Sequence, residues 1–200
     1  MNMKQVEELL LQSLEHEMGG VMVYTTALEC AVTPDLEEEW TKYLDETKTH
    51  VTRLEGMCKA MGLDPKKETP GRAVVRHLGG ALVQAMKMAL DAGNLEAAQL
   101  VACECVVLAE TKDHLDWELI GKCAEELDGE MAEVLKAGHD EIEDQEDEHL
   151  YHTRGWCREL WIESLGMKAV LPPPEERKHV KTAIGAARAE AQRTRSPGKA

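Results

Sequence analysis

The sequence predicts an all-α protein. Apolar residues recur at steps of three and four along most of the chain, which is the spacing of one helix face. Alternating runs of β-branched residues are absent, Phe is absent, and only 4 Trp and 3 Tyr occur. Two hundred residues are enough for one domain with a buried core. Turn signals divide the pattern into four long helices and one shorter helix.

The first two helices are predicted to form a hairpin. Helix A extends from Met3 to Ala31, after which Thr33-Pro34-Asp35 breaks the chain and begins the next helix. Helix B extends from Asp35 to Met61. The face of helix B that should be buried carries Trp40, Tyr43, Thr47, His50, Leu54, Met57 and Met61. The buried face of helix A includes a charged residue, Glu17.

The second half of the chain repeats this organisation. A shorter helix is predicted from Ala73 to Ala92, and Asn94 is expected to cap helix C, which extends from Leu95 toward Leu127. Gly121 is a point at which helix C could be interrupted. Helix D extends from Glu130 to about Leu165. Two hairpins joined by a crossover helix make a four-helix bundle. The bundle is expected to occupy residues 1–168, and residues 169–200 to form a Pro-rich and then basic, flexible tail.

Charge and cysteine usage limit the possible partners. The chain has 38 acidic and 23 basic residues, a formal charge of −15, and its last 29 residues alone carry 7 basic and 3 acidic residues. A body this acidic repels nucleic acid and attracts cations, so nucleic acid is not expected as a partner, and only the basic tail could bind DNA. No segment is long and apolar enough for a membrane span, and no signal peptide is recognisable. The six scattered cysteines, with no C-x-x-C pair, favour reduced thiols in the cytoplasm.

The most informative stretch lies in helix D. Ile142, Glu146, His149, Thr153 and Trp156 share one helix face that is otherwise apolar. A charge on such a face is costly unless it is paired or bound to a metal. Glu146 and His149 are therefore the first candidates for ligands in this helix. A second pair, Glu143 and Asp147, lies one step around the helix and is the alternative.

Charged residues at comparable places occur in the other helices. Helix A offers Glu17, and helix B offers Glu46 and His50, which are i,i+4 neighbours. Helix C offers Glu104, which lies among small and apolar residues, and alternatively Glu110 with His114. The length of the C/D hairpin puts Glu104 about six residues out of register with Glu146, or about 9 Å at 1.5 Å per residue. Glu104 is preferred for its apolar neighbours, and Glu110 fits the register better.

This set of side chains has a chemical interpretation. A helix bundle that binds two iron or two manganese ions has a characteristic set of ligands. Two of its helices supply one carboxylate each, as A and C do here, and the other two supply a carboxylate with an imidazole, as B and D do here. Two cations that lie close together require several anionic oxygens to offset their repulsion, and a neutral imidazole can complete each coordination sphere.

The sequence also resembles a known family. The segment Leu44-Asp45-Glu46-Thr47-Lys48-Thr49-His50-Val51-Thr52-Arg53-Leu54-Glu55 is similar to the second helix of the bacterial stress-associated ferritin-like family, within the ferritin-like and rubrerythrin-like bundles. Other helices of this family are also matched. Its first helix resembles the segment with Glu17 and Tyr24, its third helix the segment with Glu104, and its last helix the Glu143–Asp147 pair. Thr47 departs from the E-x-x-H of true ferritins.

The resemblance implies a ferritin-like bundle with a di-metal site, usually iron. It does not fix the activity. The first hypothesis is a ferroxidase or a peroxide-reducing protein that acts on O₂ or peroxide in oxidative stress defence. The alternative is a non-catalytic metal-binding or scaffold protein with the same fold. Trp156, Trp161 and Leu165 are expected either in the core or at the interface of a homodimer.

Overall fold

The computed structural model describes residues 1–168, and the predicted basic tail lies outside this range. Within these residues the chain forms five helices and no strand, so the predicted all-α class is confirmed. The helices are α1 (Met3–Cys30), α2 (Pro34–Ala60), α3 (Pro70–Asp91), α4 (Leu95–Glu126) and α5 (Glu130–Ser164). These bounds agree with the predicted ones to within about three residues. None of these helices combines the length and apolar character that a membrane crossing requires.

Local sequence signals explain where the helices begin. Pro34 stands in the first turn of α2, where its missing N–H costs nothing. The side chain of Thr69 accepts a hydrogen bond from the backbone N–H of Arg72 at 3.1 Å, and Asn94 accepts one from Ala97 at 3.1 Å. The predicted Asn94 cap is therefore confirmed. Gly129 precedes α5 with a φ of 73°, a conformation that favours glycine.

The helices pack as two hairpins. α1 packs against α2, and α4 packs against α5, while α1–α4 and α2–α5 contacts join the two hairpins. Residues level with each other across the second hairpin include Glu110 with His149, and Gly121 with His139. The expected interruption near Gly121 does not occur, since α4 is continuous there. The missing side chain at Gly121 makes room for the His139 ring, which lies 2.5 Å from the position a Cβ atom would take.

Helix α3 is fixed to the outer side of α1 by charge. The carboxylate of Glu15 is buried and accepts hydrogen bonds from Arg72 Nε at 2.9 Å and Arg76 Nε at 2.6 Å. Arg72 is also buried and donates to the carbonyl oxygens of Pro65 and Lys67. A buried ion pair that is hydrogen-bonded on both sides holds one relative position of two helices.

The apolar core is divided into two clusters. One contains Val23, Tyr24, Trp40, Tyr43, Met86, Val106 and Trp156, together with smaller residues. The other contains Leu10, Leu11, Leu14, Leu54, Met57, Trp117, Ile120, Leu135 and Ile142, among others. Charged and imidazole side chains of α1, α2, α4 and α5 lie in sequence between the members of these two clusters. Trp156 is in the core, whereas Trp161 and Leu165 are exposed.

Candidate metal centre

A layer of buried charged residues crosses the bundle between the two apolar clusters. Its central members are Glu17 of α1, His50 of α2, Glu110 of α4, and Glu146 and His149 of α5, each no more than 3% exposed. The predicted inward face of α5 is confirmed, because Ile142, Glu146, His149, Thr153 and Trp156 are all buried. Burying this many ionisable groups is costly unless something offsets their charge.

The first group of side chains joins α1, α2 and α5. His50 Nδ1 lies 3.0 Å from Glu146 Oε1 and 3.3 Å from Glu17 Oε1. Trp117 of α4 donates a hydrogen bond from Nε1 to Glu17 Oε1 at 2.8 Å, which fixes that carboxylate. One ligand atom from each of Glu17, His50 and Glu146 lies within 4.8 Å of the other two.

The second group joins α4 and α5. His149 Nδ1 lies 3.6 Å from Glu110 Oε2 and 3.8 Å from Glu146 Oε1. Here too the three ligand atoms lie within 4.8 Å of one another. Glu146 belongs to both groups and therefore lies between the two imidazoles. The imidazole rings of His50 and His149 are nearly parallel, with centroids 5.7 Å apart and an interplanar angle of 25°.

Each imidazole is oriented by a partner on its other nitrogen. His149 Nε2 lies 3.0 Å from Glu46 Oε2, and His50 Nε2 lies 2.8 Å from Gln145 Oε1. Both rings therefore direct Nδ1 toward the cluster and Nε2 away from it. Such outer hydrogen bonds fix the tautomer and the direction of a metal-binding histidine.

The buried carboxylates and imidazoles of the cluster strongly shift one another's pKa values. Burial, together with the carboxylates of Glu17 and Glu110, raises the pKa of Glu146 to about 7, although His50 acts in the opposite direction. Burial alone would lower the pKa of His50, but Glu146 and Glu17 outweigh it and raise this pKa to about 11. For His149 the same balance, with Glu110 and Glu46 as partners, gives a pKa of about 9. Positive imidazoles thus offset part of the negative charge of the buried carboxylates.

Several polar atoms of this layer are left without hydrogen-bond partners. Among the residues described, these atoms include Glu17 Oε2, Glu110 Oε2, Asp113 Oδ1, both carboxylate oxygens of Glu146, and His50 Nδ1. Buried polar atoms normally have partners, so each such atom requires an explanation. Ligand atoms held by one ion at about 2.1 Å lie at most about 4.2 Å apart. The imidazole–carboxylate separations in both groups, from 3.0 to 3.8 Å, are within this limit.

The predicted residues on α4 require a correction. The sequence favours Glu104 for its apolar neighbours, but in the structure its side chain is exposed and lies outside the cluster. Glu110, the alternative, is 3% exposed and faces His149. Because α4 is continuous, no bulge absorbs the six-residue mismatch of Glu104. Its apolar neighbours pack inward while Glu104 itself points outward.

The other predicted residues lie at the edge of the cluster or outside it. Asp147 and His114 pair with each other at 2.8 Å across α4 and α5, both partly exposed. Glu143 is mostly exposed and lies 3.6 Å from His139. Glu46 was predicted as a direct ligand, but it contacts the outer nitrogen of His149. The structure therefore brings together Glu17, His50, Glu110, Glu146 and His149.

Three residues of this layer were not found from the sequence. Asp113 is 4% exposed, its Oδ1 has no hydrogen-bond partner among the described residues, and it lies one turn after Glu110 on the same helix face. Burial, and then Glu17, Glu146 and Glu110, raise its pKa well above the usual value. Trp117 and Gln145 are the other two. The three- and four-residue spacing from Glu110 through Asp113 to Trp117 was a usable signal.

Two tyrosines border the cluster on the side of the first apolar cluster. The Tyr43 ring centroid is 4.1 Å from that of His149, and its hydroxyl lies 2.8 Å from Glu39 and 2.9 Å from His152. The ring of Tyr24 is 6.2 Å from His149. Burial, followed by the Glu110 carboxylate, raises the pKa of Tyr24 well above its usual value. Burial, followed by the Glu39 carboxylate, also raises the pKa of Tyr43, so both tyrosines remain neutral phenols.

No protein-family model, curated protein or solved structure matches this chain.

Proposed function

We propose that the buried cluster binds two divalent metal ions, iron first and manganese as the alternative, in a ferritin-like four-helix bundle. Support comes from one observation above all. Glu146 is shared by two groups that each contain one further carboxylate from another helix and one imidazole, which is His50 of α2 in one group and His149 of α5 itself in the other. Both oxygens of Glu146 lack hydrogen-bond partners among the described residues. A carboxylate between two cations is the usual way to reduce the repulsion between them.

The donor set assigns a role to each residue. Glu17 and His50 would hold one ion, Glu110 and His149 would hold the other, and Glu146 would bridge them. Bound iron would supply electrons for the reduction of O₂ or peroxide. The protein contributes a site from which water is largely excluded, imidazoles fixed by their outer partners, and carboxylates of which Glu17 is anchored by Trp117. On this basis we propose a ferroxidase or peroxide-reducing activity.

A second function is favoured by the small number of carboxylates. Thr47 stands where a second E-x-x-H pair would have Glu, and Glu46 is directed to the outer side of His149. Three carboxylates for two ions compensate charge less completely than the larger set of a full carboxylate site. This count favours a metal-binding protein that does not turn over O₂ or peroxide.

Metal binding and turnover can be tested separately. The chain is purified without oxygen, freed of metal with a chelator, and titrated with Fe(II) and Mn(II), with bound metal measured by elemental analysis. We expect two ions per chain in the wild type and a large loss in Glu146→Gln. Glu104→Gln is the matched control, since it removes an exposed carboxylate of α4, and it should still bind two ions.

The rate of peroxide consumption by the iron-loaded protein then separates the two functions. Consumption that depends on Glu146 supports the oxidoreductase. Stoichiometric binding without faster consumption supports the non-catalytic alternative. Wild-type protein that binds neither metal would refute both.

A further inference from the structure

The two metal-binding groups are not equivalent, because their histidines have different outer partners. His149 Nε2 faces the Glu46 carboxylate at 3.0 Å, whereas His50 Nε2 faces the Gln145 amide oxygen at 2.8 Å. The distances are similar, so the difference between the partners is one of charge. Glu46 carries a full negative charge and Gln145 carries none.

This difference reaches the metal-binding nitrogen through the imidazole ring. A carboxylate that accepts the N–H of a histidine makes the opposite nitrogen a stronger donor to a metal. An amide oxygen fixes the ring in the same way but adds much less electron density. The Nδ1 of His149 should therefore be the stronger ligand of the two.

The carboxylates differ in the same direction. Glu17 Oε1 already accepts a hydrogen bond from Trp117 at 2.8 Å, which withdraws charge from that carboxylate. Glu110 Oε2, which faces His149, has no hydrogen-bond partner among the residues described. In the part of the chain that the structure describes, each carboxylate keeps one oxygen without a partner, Glu17 Oε2 and Glu110 Oε2, so the difference lies in the oxygen that faces each imidazole. The group around His149 thus has both the more basic imidazole and a facing carboxylate oxygen that accepts no hydrogen bond from the described residues.

We infer that the two metal positions fill in order, the position at His149 and Glu110 first and the position at His50 and Glu17 second. Glu46 acts as a positioning residue that sets this order through His149. The inference depends on the proposed two-metal site and adds to it an unequal affinity. An ordered site holds a single ion at low metal concentration, and the second position then exchanges metal more readily.

The order can be measured by titrating the metal-free protein with Mn(II) under anaerobic conditions. Free Mn(II) is followed by electron paramagnetic resonance, and binding heat by calorimetry. We expect two steps whose dissociation constants differ at least about tenfold. Glu110→Gln should weaken the first step, and Glu17→Gln should weaken the second.

Exchanging the outer partners is the decisive test. Glu46→Gln should weaken the first step about 10- to 100-fold, and Gln145→Glu should tighten the second step. A gain of affinity in Gln145→Glu is not expected from a purely structural role. Asp45→Asn removes a neighbouring exposed charge from α2, and Thr49→Glu adds one there, so both serve as controls and should leave the two steps unchanged.

Each outcome has one meaning. Two equal steps in the wild type, or unchanged constants in Glu46→Gln, would overturn the order while leaving the two-metal site intact. Complete loss of one equivalent in Glu46→Gln would make Glu46 a direct ligand and overturn its positioning role. Wild-type protein that binds no Mn(II) and no Fe(II) would overturn the proposed function itself. Circular dichroism of every variant shows whether its fold is retained.

Discussion

Replacing Glu146 by Gln should stabilise the metal-free protein at alkaline pH while it abolishes metal binding. Glu146 is 1% exposed, and burial together with Glu17 and Glu110 raises its pKa from 4.5 to about 7. Gln has nearly the same shape and no charge to bury. The substitution therefore removes a cost that the fold bears only when Glu146 is ionised.

The pKa difference gives the size of the effect. Between pH 4.5 and pH 7 the unfolded chain has lost the Glu146 proton while the folded protein retains it, so raising the pH favours unfolding. A shift of about 2.5 units corresponds to about 3 kcal/mol at about 1.4 kcal/mol per unit. This shift already includes the attraction to His50. At pH 8 the variant should be more stable by about 3 kcal/mol, and near pH 4.5 the difference should disappear.

Chemical denaturation of chelator-treated protein, at several pH values between 4.5 and 8, measures this difference directly. Thermal unfolding should show a midpoint roughly 6–12 °C higher for the variant at pH 8. Adding Mn(II) should reverse the order, because two ions, each at about 100 times its dissociation constant, stabilise the wild type by about 5 kcal/mol.

A metal-free variant that is less stable than the wild type at pH 8 would refute the reasoning. It would show that the contacts of Glu146 with the two imidazoles stabilise the fold by more than burial of its charge destabilises it. A difference that stays constant between pH 4.5 and pH 8 would also contradict it, because no proton would then be linked to unfolding.

Two further predictions concern the frame around the cluster. Gly121→Ala should destabilise the protein by about 1–2 kcal/mol in denaturation, because the new methyl group overlaps the His139 ring. The control Gly80→Ala, with open space around it, should stabilise α3 by about 0.5–1 kcal/mol. Equal effects of the two substitutions would contradict the close packing of Gly121 against His139. Burial alone would raise the pKa of Glu15, but its two arginine partners outweigh burial and lower this pKa. The ion pairs of Glu15 therefore stabilise the fold above about pH 4.5, and this stabilisation is lost as the pH falls through the lowered pKa. Glu15→Gln should therefore cost about 3 kcal/mol at pH 7 and progressively less in acid, and a cost that persists at pH 2 would contradict this ion-pair account.

Helix bounds and the inward face of α5 could be predicted because they depend on local signals. Pro34, Asn94 and Gly129 mark turns wherever the chain goes next, and a three- to four-residue period determines which residues share a face. Glu146 and His149 were found in this way, as residues too polar for the face on which they lie.

The choice between Glu104 and Glu110 could not be made from local sequence alone. Apolar neighbours favour Glu104 and register favours Glu110, and periodicity in a helix of 32 residues with Ala and Cys on several sides does not define one narrow face. The packing of α4 against α5 decides which of the two carboxylates faces inward, and this packing depends on how closely the helices approach at Gly121. The role of Glu46 was missed for a related reason, since spacing identifies a neighbouring face without showing which nitrogen of His149 it contacts.

The proposed ligands come from four helices in two hairpins, and this arrangement constrains the folding pathway. The group of Glu17, His50 and Glu146 is divided between the hairpins, because Glu17 and His50 come from the first hairpin and Glu146 from the second. The other group, by contrast, lies entirely in the second hairpin. The first group therefore forms only when the hairpins dock. A chain emerging during synthesis has no such group until α5 has been made, and metal cannot be captured there by the first half alone. Binding at this group would thus report that the two halves have come together.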